Sequence, residues 1–147
     1  ASMGKLGFDI VAGNLNATDL AFCQDALKNY NSFKHTVWQG DLYRLLNPHE
    51  NRLASLMYVS KDKGSSIMFN LLVNTRVAIT ATELPVQLAG LDAAKKYRVK
   101  EINLYPGTSS LLDENMIYSG DFLMKVGINP GVNGRRQSVV LEIKEAK

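Results

Sequence analysis

The chain has 147 residues, of which 46% are hydrophobic and 21% charged, with a formal net charge of +3. At this length a single core can bury roughly 68–70% of the unfolded surface, so no disulfide or metal staple is needed; the lone Cys23 excludes an internal disulfide in any case. The small positive excess forms no dense basic stripe, which argues against nucleic acid, and no apolar run approaches the ~20 residues of a membrane span.

Ala1-Ser2-Met3 lacks the charged and apolar regions of a signal peptide. It reads as an expression leftover ahead of a segment that starts inside a longer protein, with any localisation signal upstream. Phe8–Val11 is a short apolar run suited to a buried strand, and Gly13-Asn14 ends it. From Leu20 onward the apolar residues follow helical spacing, with Leu20, Cys23, Leu27 and Tyr30 on one face. Asn16 or Thr18 can cap the helix by accepting from free backbone N–H groups, and Asp19 suits the positive end of the helix dipole. Asn16-Ala17-Thr18 also fits a glycosylation sequon, but so short a pattern arises by chance and capping is the preferred reading. Cys23 on the stripe reads as a small core hydrophobe, not a nucleophile. An apolar stripe left open tends to find a partner. The helix is therefore expected to fold back on its own domain or to self-associate through Leu20, Cys23, Leu27 and Tyr30.

After Gly40 strand signals replace the helical period. Asp41–Leu46 and Leu53–Ser60 are the first two candidates, followed by a turn, Lys61-Asp62-Lys63-Gly64, in which Gly64 is able to take positive φ. Ser65–Val73 returns as a hairpin partner. Val86 and Leu88, then Tyr97 and Val99, alternate with polar neighbours; the alternation slips at Glu101 and resumes at Ile102 and Leu104, which predicts a bulge. Lys95, Lys96, Arg98 and Lys100 form the solvated side of that strand. Phe122–Val126 and Ser138–Lys144 complete the set. The pattern predicts a mainly β fold, an antiparallel β-sandwich of Greek-key-like form preceded by one α-helix. Tyr43, Leu45, Leu56, Tyr58, Phe69, Val99, Leu141 and Ile143 are expected to be largely buried between two sheets.

Glycoside hydrolysis ordinarily needs two carboxyl groups, about 5–5.5 Å apart for retention. The neighbours Asp113 and Glu114 lie in a Ser/Leu/Asn stretch and read as a solvated loop. His35 and His49 have no partners at metal-ligand spacing, and Asn47–Asn51 reads as a polar turn. No G-x-S-x-G elbow occurs. Gly127, Gly131 and Gly134 precede Arg135-Arg136, but a phosphate cradle needs a helix after it, and a strand follows. No catalytic, cofactor-binding or metal-ligating residue is assigned. Trp38, the only tryptophan, is a candidate sugar platform, since an aromatic face suits the C–H face of a sugar. The preferred alternative is that it plugs the gap between helix and first strand.

Gln39-Gly40-Asp41-Leu42-Tyr43-Arg44-Leu45 resembles the GDLYRL signature of glycoside hydrolase family 36 α-galactosidases. Leu56-Met57-Tyr58-Val59-Ser60, then Gly90-Leu91-Asp92 with Lys96-Tyr97-Arg98-Val99, then Tyr118-Ser119-Gly120-Asp121-Phe122-Leu123-Met124 with Gly127, resemble further motifs of that family in the same order. Asn31 and Lys34 depart from it, standing where a lysine and an arginine are common. The resemblance implies a C-terminal β-sandwich domain, residues 39–147, preceded by the tail of a (β/α)8 catalytic barrel, residues 4–38, with residues 1–3 a leftover. It also implies a retaining parent enzyme whose two catalytic aspartates lie upstream on the barrel, with that barrel as this domain's partner. A carbohydrate-binding module that holds substrate glycan is the alternative.

Overall fold

The computed structural model describes residues 2–73 and 85–146; Ala1, part of the expected leftover, lies outside them. After a short 3-10 turn at Ala12–Asn14 the chain forms helix α1 (Ala17–Gln39) and strands β1 (Asp41–Leu46), β2 (Leu53–Val59), β3 (Ser65–Leu72), β4 (Lys96–Ile102) and β5 (Ile117–Ser119). Helix α2 (Gly120–Lys125) and strand β6 (Ser138–Glu145) follow. Among the described residues the strands make one antiparallel sheet in the order β1-β2-β3-β6-β4-β5. The fold is mainly β and antiparallel with a leading helix, as the alternation predicts.

Register assigns every side chain to a face. Leu56, Phe69, Val140 and Ile102 line up across four strands on one face, and Met57, Met68, Leu141 and Glu101 on the other. On the first face Ile67, Phe69 and Ile102 meet Tyr30, Phe33 and Val37 of α1. The Phe33 and Phe69 rings meet near edge-on with centroids 6.1 Å apart, a favoured aromatic geometry. On the second face Met57, Val59, Met68, Val99, Leu141 and Ile143 are covered by Val86, Leu88, Leu91, Leu123, Ile128 and Val132. Among the described residues this covering layer is built from α2 and irregular chain, with one β-bridge, Val86 to Ile128. Pro85, Gly90, Gly127, Pro130, Gly131 and Gly134 punctuate it and keep it from forming long strands. Because β3 lies mid-sheet beneath both layers, Ser66 through Asn70 are all buried.

The core set expected between two sheets instead divides between the two faces of this one sheet, since the layer opposite is irregular chain and α2 among the described residues. Phe69, Val99, Leu141 and Ile143 are buried, whereas Tyr43, Leu45, Leu56 and Tyr58 are half-buried; Tyr58 and Phe69 pack toward the helix. Several local expectations are corrected. Phe8–Val11 is not a strand, and Phe8, Ile10 and Val11 are exposed. Phe122–Val126 falls largely in α2, whose start is capped by Ser119 accepting from the Phe122 N–H at 3.1 Å. No bulge occurs at Glu101, where β4 and β6 stay in regular register; the register shift lies in β1 between Arg44 and Leu46. The alternation slips because Glu101 points inward with Tyr97 and Val99, while Ile102 faces α1. In the β2–β3 turn the left-handed residue is Lys63 (φ 56), not Gly64.

The capping expectation holds at Asn16, whose Oδ1 accepts from the Asp19 N–H at 2.8 Å. The buried stripe of α1 runs Ala26, Tyr30, Phe33, Val37. At 3.6 residues per turn it is rotated roughly 70° from the expected stripe. Tyr30 is common to both, Cys23 is half-buried, and Leu20 and Leu27 are 42% and 40% exposed. The larger apolar area of Tyr30 and Phe33 sets the rotation, since hydrophobic gain scales with area removed from water.

Two buried side chains on the second face make a clear contrast. Leu141 has no exposed surface and lies at the centre of that core, so Leu141→Ala should cost roughly 2–5 kcal/mol. The Ser66 hydroxyl is buried with no hydrogen-bond partner among the described residues. Ser66→Ala should therefore be neutral or stabilising, because it removes a polar group buried without compensation. Urea denaturation of both variants checks the pair, and a large loss for Ser66→Ala contradicts the packing described.

Candidate functional site

The residues that carry the sequence signatures come together in space. Gly40 ends α1, its N–H donating to the Thr36 carbonyl at 3.0 Å. A Cβ there would sit 2.4 Å from the Thr36 carbonyl oxygen and 2.5 Å from that of Val59, so only glycine allows helix and β2 to approach this closely. Three residues on, the Tyr43 ring lies against Gly90, where a Cβ would come within 2.4 Å of two ring carbons. Gly90 also needs the left-handed conformation (φ 77).

Tyr97 links the next pieces. Its ring is fully buried, and its hydroxyl donates to the Lys63 carbonyl at 2.9 Å while accepting from the Asp92 N–H at 3.0 Å. One side chain thus joins the β2–β3 turn to the Gly90–Asp92 segment. The Asp92 carbonyl in turn faces Gly120, where a Cβ would be only 2.0 Å from its oxygen, and the Gly120 N–H donates to the Lys95 carbonyl at 2.9 Å. Burial pushes the Tyr97 hydroxyl above the ordinary tyrosine value of 10.0, partly offset by the Asp92 N–H.

A second polar anchor joins β4 to the glycine-rich chain before β6. Glu101, 5% exposed, accepts from the Arg136 guanidinium. Arg136 is held by its own N–H, which donates to Asn133 Oδ1 at 3.0 Å. The slip in alternation at Glu101 was the sequence signal for this pair, and the Ser-Gly-Asp run at 119–121 was the signal for the α2 cap.

These contacts hold a scaffold; they do not align an acid with a base. Asp113 accepts from the Asn115 N–H at 2.9 Å within a turn, and Glu114 faces Lys100 at 3.6 Å. The His49 N–H donates to Asn47 Oδ1 at 3.1 Å in the polar turn. Among the described residues no group of three His, Cys, Asp or Glu is placed to hold a metal ion. Trp38 does not plug the gap between helix and strand. It is 56% exposed, with its indole N–H directed at the Gly4 carbonyl at 3.4 Å and Lys34 Nζ 6.0 Å from the ring centroid. The Gly4 carbonyl also accepts from the buried Tyr30 hydroxyl at 2.6 Å, which fixes the N-terminal segment across α1.

A sequence model of the Glycosyl hydrolase family 36 C-terminal domain matches residues 53–143, well over half of the chain. The chain belongs to this family. Alpha-galactosidase 2 of Hypocrea jecorina is 25% identical to it over 97% of this chain and 17% of its own length. Alpha-galactosidase AgaA of Geobacillus stearothermophilus is 25% identical over 82% of this chain and 15% of its own length. In three dimensions the family 36 domain resembles the solved α-galactosidase AgaA of Geobacillus stearothermophilus, with a TM-score of 0.75 at 23% identity, covering 99% of this chain and 18% of that one. It also resembles the α-galactosidase of Lactobacillus brevis, with a TM-score of 0.77 at 18% identity, covering 100% of this chain and 19% of that one. The chain therefore spans less than a fifth of the relatives it matches. The Gly40–Leu45 signature lies ahead of the matched range yet is tied to it through Val59 and Gly90.

Tyr97→Phe keeps the packed ring and removes both hydroxyl bonds. It should destabilise this family 36 domain by about 1–3 kcal/mol, at about 0.5–1.5 kcal/mol for each of the two hydrogen bonds lost. The hydroxyl's pKa is raised on folding, so its contribution is complete below pH ~10 and is lost as pH rises through the folded value. Unfolding midpoints measured up the alkaline range should fall more steeply for the parent chain than for Tyr97→Phe. Equal slopes would contradict the buried bridge.

Proposed function

We propose that this chain is the structural C-terminal domain of an α-galactosidase that hydrolyses terminal α-galactosides with retention, using carboxylates carried upstream of it. The observation that carries this reading is one of coverage. The chain aligns over 97% of its length with a protein named as an α-galactosidase while spanning only 17% of that protein. Residues 4–38 are then the tail of the catalytic barrel, and that barrel is the partner of the β domain that follows. The outward side of α1 suits such a partner. Leu20 and Leu27 are exposed there, and Phe8, Ile10 and Val11 of the segment leading into the helix are exposed as well, an apolar content that favours docking. When the barrel is missing, the same residues are available for self-association.

The exposed ring of Trp38 favours a second reading, in which the domain grips substrate glycan. As the only tryptophan, Trp38 reports its own surroundings by fluorescence. Under the structural reading, titration with galactosyl oligosaccharides leaves the emission of the 147-residue chain unchanged; saturable quenching that Trp38→Ala removes would favour the binding module.

Activity separates the remaining cases. The polypeptide extended upstream through the barrel should hydrolyse a chromogenic α-galactoside, while the 147-residue chain should show no turnover above buffer. Turnover by this chain that a point substitution within it abolishes would overturn the structural-domain reading. An extended protein that folds and leaves α-galactosides intact would overturn the parent activity.

A further inference from the structure

Helix α1 has 23 residues, a length of about 34 Å at 1.5 Å per residue. Its buried residues are Ala26, Tyr30, Phe33, Thr36 and Val37. Residues 17–25 contribute no fully buried side chain, only the half-buried Asp19, Phe22 and Cys23, so the two cores hold the first turns far less than they hold residues 26–37. A helix start of this size is marginal in water without tertiary support.

Support comes from the chain leaving β4. Past Ile102 the backbone turns at Asn103, which takes the left-handed conformation (φ 61). Asn29 Nδ2 donates to Asn103 Oδ1 at 3.0 Å. Two residues later the Tyr105 ring packs on Phe22 with centroids 5.5 Å apart, and its hydroxyl donates to Asp19 Oδ1 at 2.8 Å. Asp19 is itself part of the helix cap, since its second carboxylate oxygen accepts from Asn16 Nδ2 at 2.7 Å. The Tyr105 carbonyl accepts from the Thr108 N–H at 3.0 Å and from its hydroxyl at 2.6 Å, which closes the turn that presents the ring. Among the described residues, the ring contact and the hydrogen bond that reach residues 17–25 from the chain after β4 both come from this one side chain.

We propose that Tyr105 is a clasp on a hinged helix: it fastens residues 17–25 of α1 to the domain, and when it opens those turns detach while residues 30–39 stay packed. The inference rests on contacts within the 147-residue chain and not on the proposed activity; under that proposal the barrel would cover the outward side of the same turns. Tyr105 is 44% exposed, so replacing it leaves both cores intact.

Hydrogen exchange followed by mass spectrometry tests it, on the 147-residue chain and its Tyr105→Phe and Tyr105→Ala variants. Tyr105→Phe should speed exchange at the amides of residues 21–25 by roughly fivefold, the loss of one hydrogen bond. Tyr105→Ala, which also loses the ring contact, should speed it further, with residues 30–39 unchanged in both. Unchanged exchange at residues 21–25 in Tyr105→Ala overturns the proposal, as does an increase spread equally along the helix.

Discussion

The hydroxyl of Tyr97 is the constraint on which the rest of the arrangement depends. It stands between a carbonyl of the β2–β3 turn and the N–H of Asp92, and both groups lie where the chain must double back over the sheet. A backbone group held away from water needs a partner, and here one side chain serves two groups far apart in sequence. Once Asp92 is held, its carbonyl determines what may stand opposite, and only glycine fits at position 120. Gly120 then opens α2, whose Leu123 is fully buried beneath the sheet. Signature residues that look like isolated words in the sequence are thus one chain of steric and polar dependence. Their spacing follows from architecture and needs no appeal to catalysis.

The sheet is covered on both sides by unlike materials. One side takes a long helix with an aromatic stripe, and the other takes irregular chain pinned by glycines and by the Glu101–Arg136 pair. An irregular layer cannot satisfy its own backbone through a regular ladder. It relies instead on side-chain caps such as Asn129 and Asn133, whose Oδ1 atoms accept from the N–H groups of Gly131 and Arg135 at 2.9 Å. This explains the density of asparagine and glycine between α2 and β6. The buried carboxylate of Glu101 fits the same logic: taking a charge out of water is tolerable only beside a partner of opposite sign.

Much of this was legible in the sequence. Period-two alternation marks β4 and β6, each with one face against the second core; β1 and β2 read as strand runs and β3 as the return of a hairpin after the Lys61–Gly64 turn, while the polar turn at Asn47–Asn51 and the cap at Asn16 follow from local chemistry. What failed did so for physical reasons. Phe122–Val126 is apolar enough for a strand, but Ser119 caps it as a helix. Phe8–Val11 is apolar, but Phe8, Ile10 and Val11 are left uncovered among the described residues. Helical spacing points to Leu20, Cys23, Leu27 and Tyr30, whereas the sheet keeps Tyr30 and selects Ala26, Phe33 and Val37 beside it. Trp38 was expected to fill a gap that Gly40 closes by bringing helix and β2 into direct contact. The clustering of signature residues around Tyr97 was not legible at all, since the contacts join positions 63, 92 and 97 through space, not through any periodic pattern.

The position of β6 has a consequence for assembly. It is the last strand in sequence, yet it lies between β3 and β4, and Asn70 reaches the Val139 carbonyl across 69 residues of chain. Until β6 arrives, the described strands form two separate ribbons, β1–β3 and β4–β5, each lacking its partner at the inner edge. Contacts this distant carry a loop-closure cost before they return any stabilisation. On the ribosome the ribbons must therefore wait for the final strand to emerge, and during that interval their open edges are templates for pairing with a neighbouring chain. A premature stop before Ser138 would not trim the domain but split it.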